Sequence, residues 1–175
     1  MSYATNSIRN ICLLGHAGSG KTALTESLLY MTGAIDRIGR PADGNTVCDY
    51  DPEEIRRQIS ISASVAPLEY KGCKINVLDT PGSVDFSGAV MEALRAADAA
   101  VIVCSAKDGI TAGLERAWKY CEERDMPRFL YISKIDEDNS DYNATFEALR
   151  EKYGNRIAPP VSYTHLRAHE TLRYL

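Results

Sequence analysis

The 175-residue sequence has no apolar run of the roughly 18 residues needed to span a bilayer. Its richest stretch, Ala96 to Ala106, is short and interrupted by Asp98. The N-terminal MSYATNSIRN lacks a basic region followed by an apolar segment, so no secretory signal is expected. Basic residues are not in excess: 20 Lys and Arg face 24 Asp and Glu, a formal net charge of −4. That leaves no polybasic patch for direct nucleic-acid binding. None of the five cysteines, Cys12, Cys48, Cys73, Cys104 and Cys121, forms a C-x-x-C pair, and their count is odd. They read as reduced thiols of a cytoplasmic protein, with Cys12 and Cys104 serving as small buried hydrophobes in strands. Gly and Pro are too few for a collagenous or low-complexity chain.

What remains is an alternation of short apolar runs and helical patterns. Strands are expected at Ile8–Leu14, Ile59–Tyr70, Cys73–Leu78, Ala99–Ser105 and Arg128–Ile132. Helices are expected at Lys21–Met31, Ser83–Ala97, Thr111–Arg124 and Asp141–Tyr153. This order predicts an α/β fold with a mostly parallel sheet, one antiparallel edge strand and helices on both faces. Residues 33–58 carry Gly, Pro, Asp and Asn with little periodicity. A loop this long inside a domain is usually functional or mobile.

The strongest motif is Gly15-His16-Ala17-Gly18-Ser19-Gly20-Lys21-Thr22, a G-x-x-x-x-G-K-T followed by Ala23. At the chain's own residue frequencies it arises by chance in about 0.4% of such sequences. It lies between an expected strand and an expected helix, where backbone N–H groups and the positive helix end cradle phosphate. Lys21 supplies a charge to the β- and γ-phosphates, and the Thr22 hydroxyl is an oxygen ligand for Mg²⁺.

Asp79-Thr80-Pro81-Gly82 is one of three D-x-x-G matches, beside Asp36/Gly39 and Asp85/Gly88. Only Asp79 ends a strong buried-type strand, where a carboxylate can hold Mg²⁺ through water while Gly82 offers its N–H to the γ-phosphate. Ser133-Lys134-Ile135-Asp136 approximates N-K-x-D. A carboxylate at Asp136 pairs with the N1 and N2 hydrogens of guanine and would be left unpaired by adenine. Lys134 would lie along the base. Ser133 is too short for the bidentate contacts of Asn.

The ordered set GHAGSGKT, a long variable loop, ISIS, DTPGSVDF, SAKDGI and SKID resembles the GTP-binding domain of translational GTPases, of the elongation-factor-G type. The resemblance covers about residues 7–158. It implies a P-loop GTPase domain, here incomplete at its C-terminus, over residues 1–160, with GTP or GDP and Mg²⁺ as cofactors. It also implies the ribosome as partner of a longer parent, and a monomeric, cytoplasmic protein. By this resemblance residues 33–58 are the first switch loop, Ser60 falls on the threonine that binds Mg²⁺, and Asp79 to Phe86 is the second switch.

Ser83 stands where the family has the histidine that positions water. Gly18, Ser133 and Gln58 replace Asp, Asn and Gly. Lys21 is the expected catalytic cation, with Ser83 as its weaker companion or merely a helix cap. Two other readings stand beside GTP hydrolysis: a GTP-sensing switch with negligible turnover, and a P-loop kinase or ATPase outside translation. The ending VSYTHLRAHETLRYL resembles translated adapter sequence, so residues 161–175 are expected to be non-native. His165 and His169 stand i, i+4 there, with no third metal ligand evident.

Overall fold

The computed structural model describes residues 3–158, so the 161–175 segment and its two histidines lie outside the described residues. Five strands, β1 (Ile8–Gly15), β2 (Ser64–Tyr70), β3 (Cys73–Asp79), β4 (Ala99–Ser105) and β5 (Arg128–Ser133), form one sheet. Its order is β2-β3-β1-β4-β5. The β1–β3, β1–β4 and β4–β5 pairs are parallel and β2–β3 is antiparallel, as the alternation of elements predicts. Lys71 and Gly72, both with left-handed φ (48° and 78°), turn the β2–β3 hairpin.

The period-2 pattern of β1 sends its side chains into two cores. Leu13 joins Leu29 of α1 (Lys21–Met31) together with Ala66, Leu68 and Val77. Cys12 and Leu14 face α3 (Ser87–Ala96), α4 (Ala112–Glu123) and α5 (Tyr142–Tyr153) through Leu94, Trp118 and Leu149. All five cysteines are free thiols. No described helix is long and apolar enough to cross a membrane.

Three segments depart from expectation by more than one residue. β2 begins at Ser64 rather than Ile59, because the N–H groups of Ile61 and Ser62 are donated to the Glu54 carboxylate instead of a neighbouring strand. The helix expected from Ser83 starts as a 3-10 turn, Val84–Phe86, before α3. The 33–58 segment contains a six-residue helix, α2 (Pro52–Arg57), started by a capping box between Asp51 and Glu54 with Pro at its first position. That D-P-E-E signal is local and could have been read from the sequence. α2 ends on Gln58 at φ 56°, a left-handed conformation that favours the glycine it replaces.

Candidate functional site

Parallel pairing puts the C-terminal ends of β1, β3, β4 and β5 on one edge of the sheet, where open α/β folds bind ligands. Leu13 is level with Asp79, and Ser105 with Ser133. The Gly15–Thr22 segment therefore emerges beside both Asp79 and Ser133.

The loop is shaped by glycine at places no other residue fits. Gly15 has φ 144°, and a Cβ there would lie 2.4 Å from the Val103 carbonyl. A Cβ on Gly82 would lie 2.4 Å from the Ala17 nitrogen, so the second motif is packed directly on the first. Gly20 (φ 94°) starts α1 with no side-chain cap, leaving the first N–H groups of the helix, those of Lys21, Thr22 and Ala23, facing the loop. His16, Ala17 and Gly18 are exposed along the loop's crest, and His16 rests against Gly113 of α4.

Lys21 is 6% exposed. Its Nζ donates to the carbonyls of His16 (2.8 Å) and Gly15 (3.3 Å). Burial lowers its pKa to about 8, against the pull of Asp79 and Asp49. The ammonium is still charged at pH 7 and lies over a ring of backbone.

Thr22 donates its hydroxyl to Asp79 Oδ2 at 2.7 Å and stands 3.4 Å from Ser60 Oγ. Asp79 is 1% exposed, and burial raises its pKa to about 6, only partly opposed by the Thr22 hydrogen bond and Lys21. Its buried Oδ1 has no hydrogen-bond partner among the described residues. Two hydroxyls and a buried carboxylate with one unused oxygen are oxygen donors of the kind a hard divalent cation takes. The residues fit Mg²⁺, which Thr22 and Ser60 could hold directly and Asp79 through water.

Sequence reasoning missed Asp49. It is 7% exposed, its Oδ1 has no partner among the described residues, and burial raises its pKa while the Ser60 hydroxyl lowers it. Its place comes from the fold of the 33–58 loop, and no local motif marks it.

Ser133 Oγ donates to the Ser19 carbonyl (2.7 Å) and reaches the Cys104 carbonyl (3.2 Å), tying β5 to the phosphate loop and to β4. Lys134, at φ 57°, turns the chain outward, and Asp136 is exposed beyond it. Lys134 pairs with Glu137 at 3.4 Å. Asp136 thus stands apart from the cluster of Lys21, Thr22, Ser60 and Asp79.

Ser83 accepts the N–H of Asp85 at 3.4 Å and caps the 3-10 turn. It lines a small, open cleft with Gly15, Gly82, Arg116 and Tyr120.

A glycine-built anion loop, a buried lysine and a hydroxyl–carboxylate set on the C-terminal edge of a parallel sheet define a P-loop GTPase fold. The family model for the elongation factor Tu GTP binding domain matches residues 6–170, and the chain belongs to that family. It is 40% identical over 152 residues to an "Elongation factor G-like protein" of Mycobacterium tuberculosis (strain H37Rv), covering 87% of this chain and 21% of that protein. It is 39% identical to "Elongation factor G 2" of Borreliella burgdorferi, over 84% of this chain and 22% of that one. A crystal structure of a Thermus thermophilus protein superimposes with a TM-score of 0.81 at 46% identity, covering 85% of this chain and 22% of that one. The chain spans about a fifth of the length of these relatives.

Proposed function

We propose that residues 1–160 bind GTP and hydrolyse it to GDP and phosphate with Mg²⁺, as the nucleotide domain of an elongation-factor-G-like translation factor. The observation that carries this reading is the convergence of Thr22, Ser60 and the buried Asp79 at the uncapped start of α1, beside Lys21. The residues assigned to the nucleotide are Gly15 to Ala23, Asp79 and Gly82 for the phosphates, and Ser133, Lys134 and Asp136 for the base. Mg²⁺ held by Thr22, Ser60 and, through water, Asp79 would neutralise phosphate charge.

In hydrolysis, water attacks the γ-phosphorus, the bond to the bridging oxygen breaks, and the water proton leaves with phosphate. The Lys21 ammonium and loop amides stabilise the charge that spreads onto the phosphoryl oxygens. The Gly82–Ser83 segment would orient the attacking water. The Ser83 hydroxyl is a poor base, so turnover is slow without an added partner. The relatives' names, "Elongation factor G-like protein" and "Elongation factor G 2", support the ribosome as that partner in the longer protein.

Calorimetry with GTP, GDP and ATP, each with and without Mg²⁺, tests the reading. GTP and GDP should give heat and ATP should not. ATP binding as tight as GTP would favour a kinase or ATPase instead. Ser83→His should raise the single-turnover rate by about 100-fold, the lower range for a positioned acid–base group. An unchanged rate would mean that the missing histidine is not what limits turnover.

A further inference from the structure

Two buried carboxylates have no part in the site described so far. Glu26, in the second turn of α1, is 0% exposed, and Glu54, in α2, is 2% exposed. Among the described residues neither forms a salt bridge. Both are satisfied by backbone instead. Glu26 accepts the N–H of Gly39 through Oε2 at 2.8 Å and that of Val47 through Oε1. Glu54 accepts Asp51 N–H through Oε2 at 3.2 Å, and Ile61 and Ser62 N–H through Oε1 at 2.9 and 3.0 Å.

Every one of these amides belongs to the loop between α1 and β2. A buried carboxylate tolerates its loss of water only while such donors stay in place. Each glutamate therefore holds its stretch of loop, and the loop screens each glutamate. The geometry links this to the nucleotide site at two points. Glu26 follows Thr22 by four residues, so both lie on one face of α1. Glu54 grips the two residues immediately after Ser60, whose hydroxyl stands 3.4 Å from Thr22.

We propose that Glu26 and Glu54 are positioning residues that clamp the switch loop by its amides. They set Ser60 against Thr22 and Asp79 and so couple loop order to Mg²⁺·GTP. This deepens the guanine-nucleotide reading and rests on it. Glu26→Gln keeps the shape but turns an accepting oxygen into a donor facing an N–H. Gly39→Ala acts from the other side with the charge intact: its Cβ would meet Asn45 O at 2.5 Å and Glu26 Oε2 at 2.9 Å, lifting the loop off the carboxylate.

The 175-residue chain and its variants are tested by limited trypsin digestion and by titration with a non-hydrolysable GTP analogue plus Mg²⁺, and with GDP plus EDTA. Glu26→Gln and Gly39→Ala should speed cleavage after the exposed Arg37 and weaken Mg²⁺·GTP-analogue binding, each about tenfold, with GDP–EDTA binding nearly unchanged. Glu54→Gln should weaken Mg²⁺·GTP-analogue binding without speeding cleavage at Arg37. Equal loss of both nucleotides, no loss of either, or faster cleavage with unchanged Mg²⁺·GTP-analogue affinity overturns the proposal. If Glu26→Gln does not fold, Gly39→Ala decides. Unfolding of Gly39→Ala as well would make the contact a requirement of the fold and overturn the clamp. A wild-type chain with no guanine-nucleotide binding sinks the functional reading itself, whereas a binding wild type with unaffected variants sinks only the clamp.

Discussion

The phosphate loop and the loop between α1 and β2, the proposed switch loop, meet at Thr22, yet they are held by opposite means. The phosphate loop is eight consecutive residues shaped by Gly15, Gly18 and Gly20 at positive φ, and its working groups are backbone N–H donors. The switch loop has its own N–H groups taken up by glutamates on two helices, and it contributes side chains, Ser60 and Asp49, to the site. The first is built to receive an anion, and its only buried charge is a cation. The second contributes the buried Asp49, whose Oδ1 has no partner among the described residues, to stand with Asp79, and favours a cation. A magnesium–phosphate pair fits the seam because each side leaves the opposite charge unmet.

The sharpest way to break this contrast is Lys21→Ala. The phosphate side should lose at least about 100-fold in GTP affinity, measured by calorimetry. Stability should move the other way. The folded pKa of about 8 lies below the 10.5 of a free lysine. The folded state therefore sheds its proton first, and stability from this group rises as pH climbs from about 8 to 10.5. At pH 7 the burial penalty is fully present, so the alanine variant should melt no lower than the parent. GTP affinity that survives would mean the backbone nest suffices alone.

Asp79→Asn probes the carboxylate side in the same way. Its folded pKa of about 6 lies above the ordinary aspartate value of 3.8. Between those values the folded chain keeps a proton that the unfolded chain has lost, so this group's contribution falls as pH rises through the window and stays low above 6. At pH 7 the asparagine variant should be more stable by about 2–3 kcal/mol in urea titrations, with the difference vanishing below about pH 4. Its Mg²⁺-dependent gain in GTP affinity should disappear. A variant destabilised at pH 7 would show that the Thr22–Asp79 hydrogen bond outweighs the cost of burying the charge.

The same contrast explains what the sequence could reveal. The phosphate loop was legible because its chemistry is contiguous: glycines, lysine and threonine at fixed spacing between a strand and a helix. Asp79 was legible because it ends an apolar strand. The period-2 and helical patterns placed the sheet order's raw material, and four of five strands begin where expected. The switch loop was not legible in this way. Glu26 looks like any exposed acid on an amphipathic helix, and its role appears only when Gly39 and Val47 return to it. Ile59 to Ser62 alternates like a strand, but Glu54 takes its amides and the ladder starts at Ser64. Periodicity reports which face is apolar, and it is silent on which acceptor an N–H will find.

Asp136→Asn tests the part of the site that stands outside this seam. The side chain is exposed on a turn past β5, so the fold should be untouched. Losing the carboxylate should cost GTP and GDP about tenfold in affinity and leave ATP unchanged, since only guanine offers two donors to that edge. An equal change for both purines would remove base reading from this residue.

Ser133→Ala has the smallest expected effect and reaches between the two regions. Its hydroxyl donates to the Ser19 carbonyl at 2.7 Å and lies 3.2 Å from that of Cys104, joining the phosphate loop to the end of β4. Ser133 is buried, so its loss leaves a carbonyl short of a donor in a place water reaches poorly, a penalty of about 1 kcal/mol. The phosphate loop is already fixed by Gly15 against Val103 and by Gly82 against Ala17, contacts that a missing hydroxyl does not loosen. Stability should therefore fall by that amount in urea titrations while nucleotide affinity changes by less than about threefold. A larger affinity loss would mean that the loop's rigidity is borrowed from β5, making the phosphate side as dependent on distant side chains as the switch side is on Glu26 and Glu54.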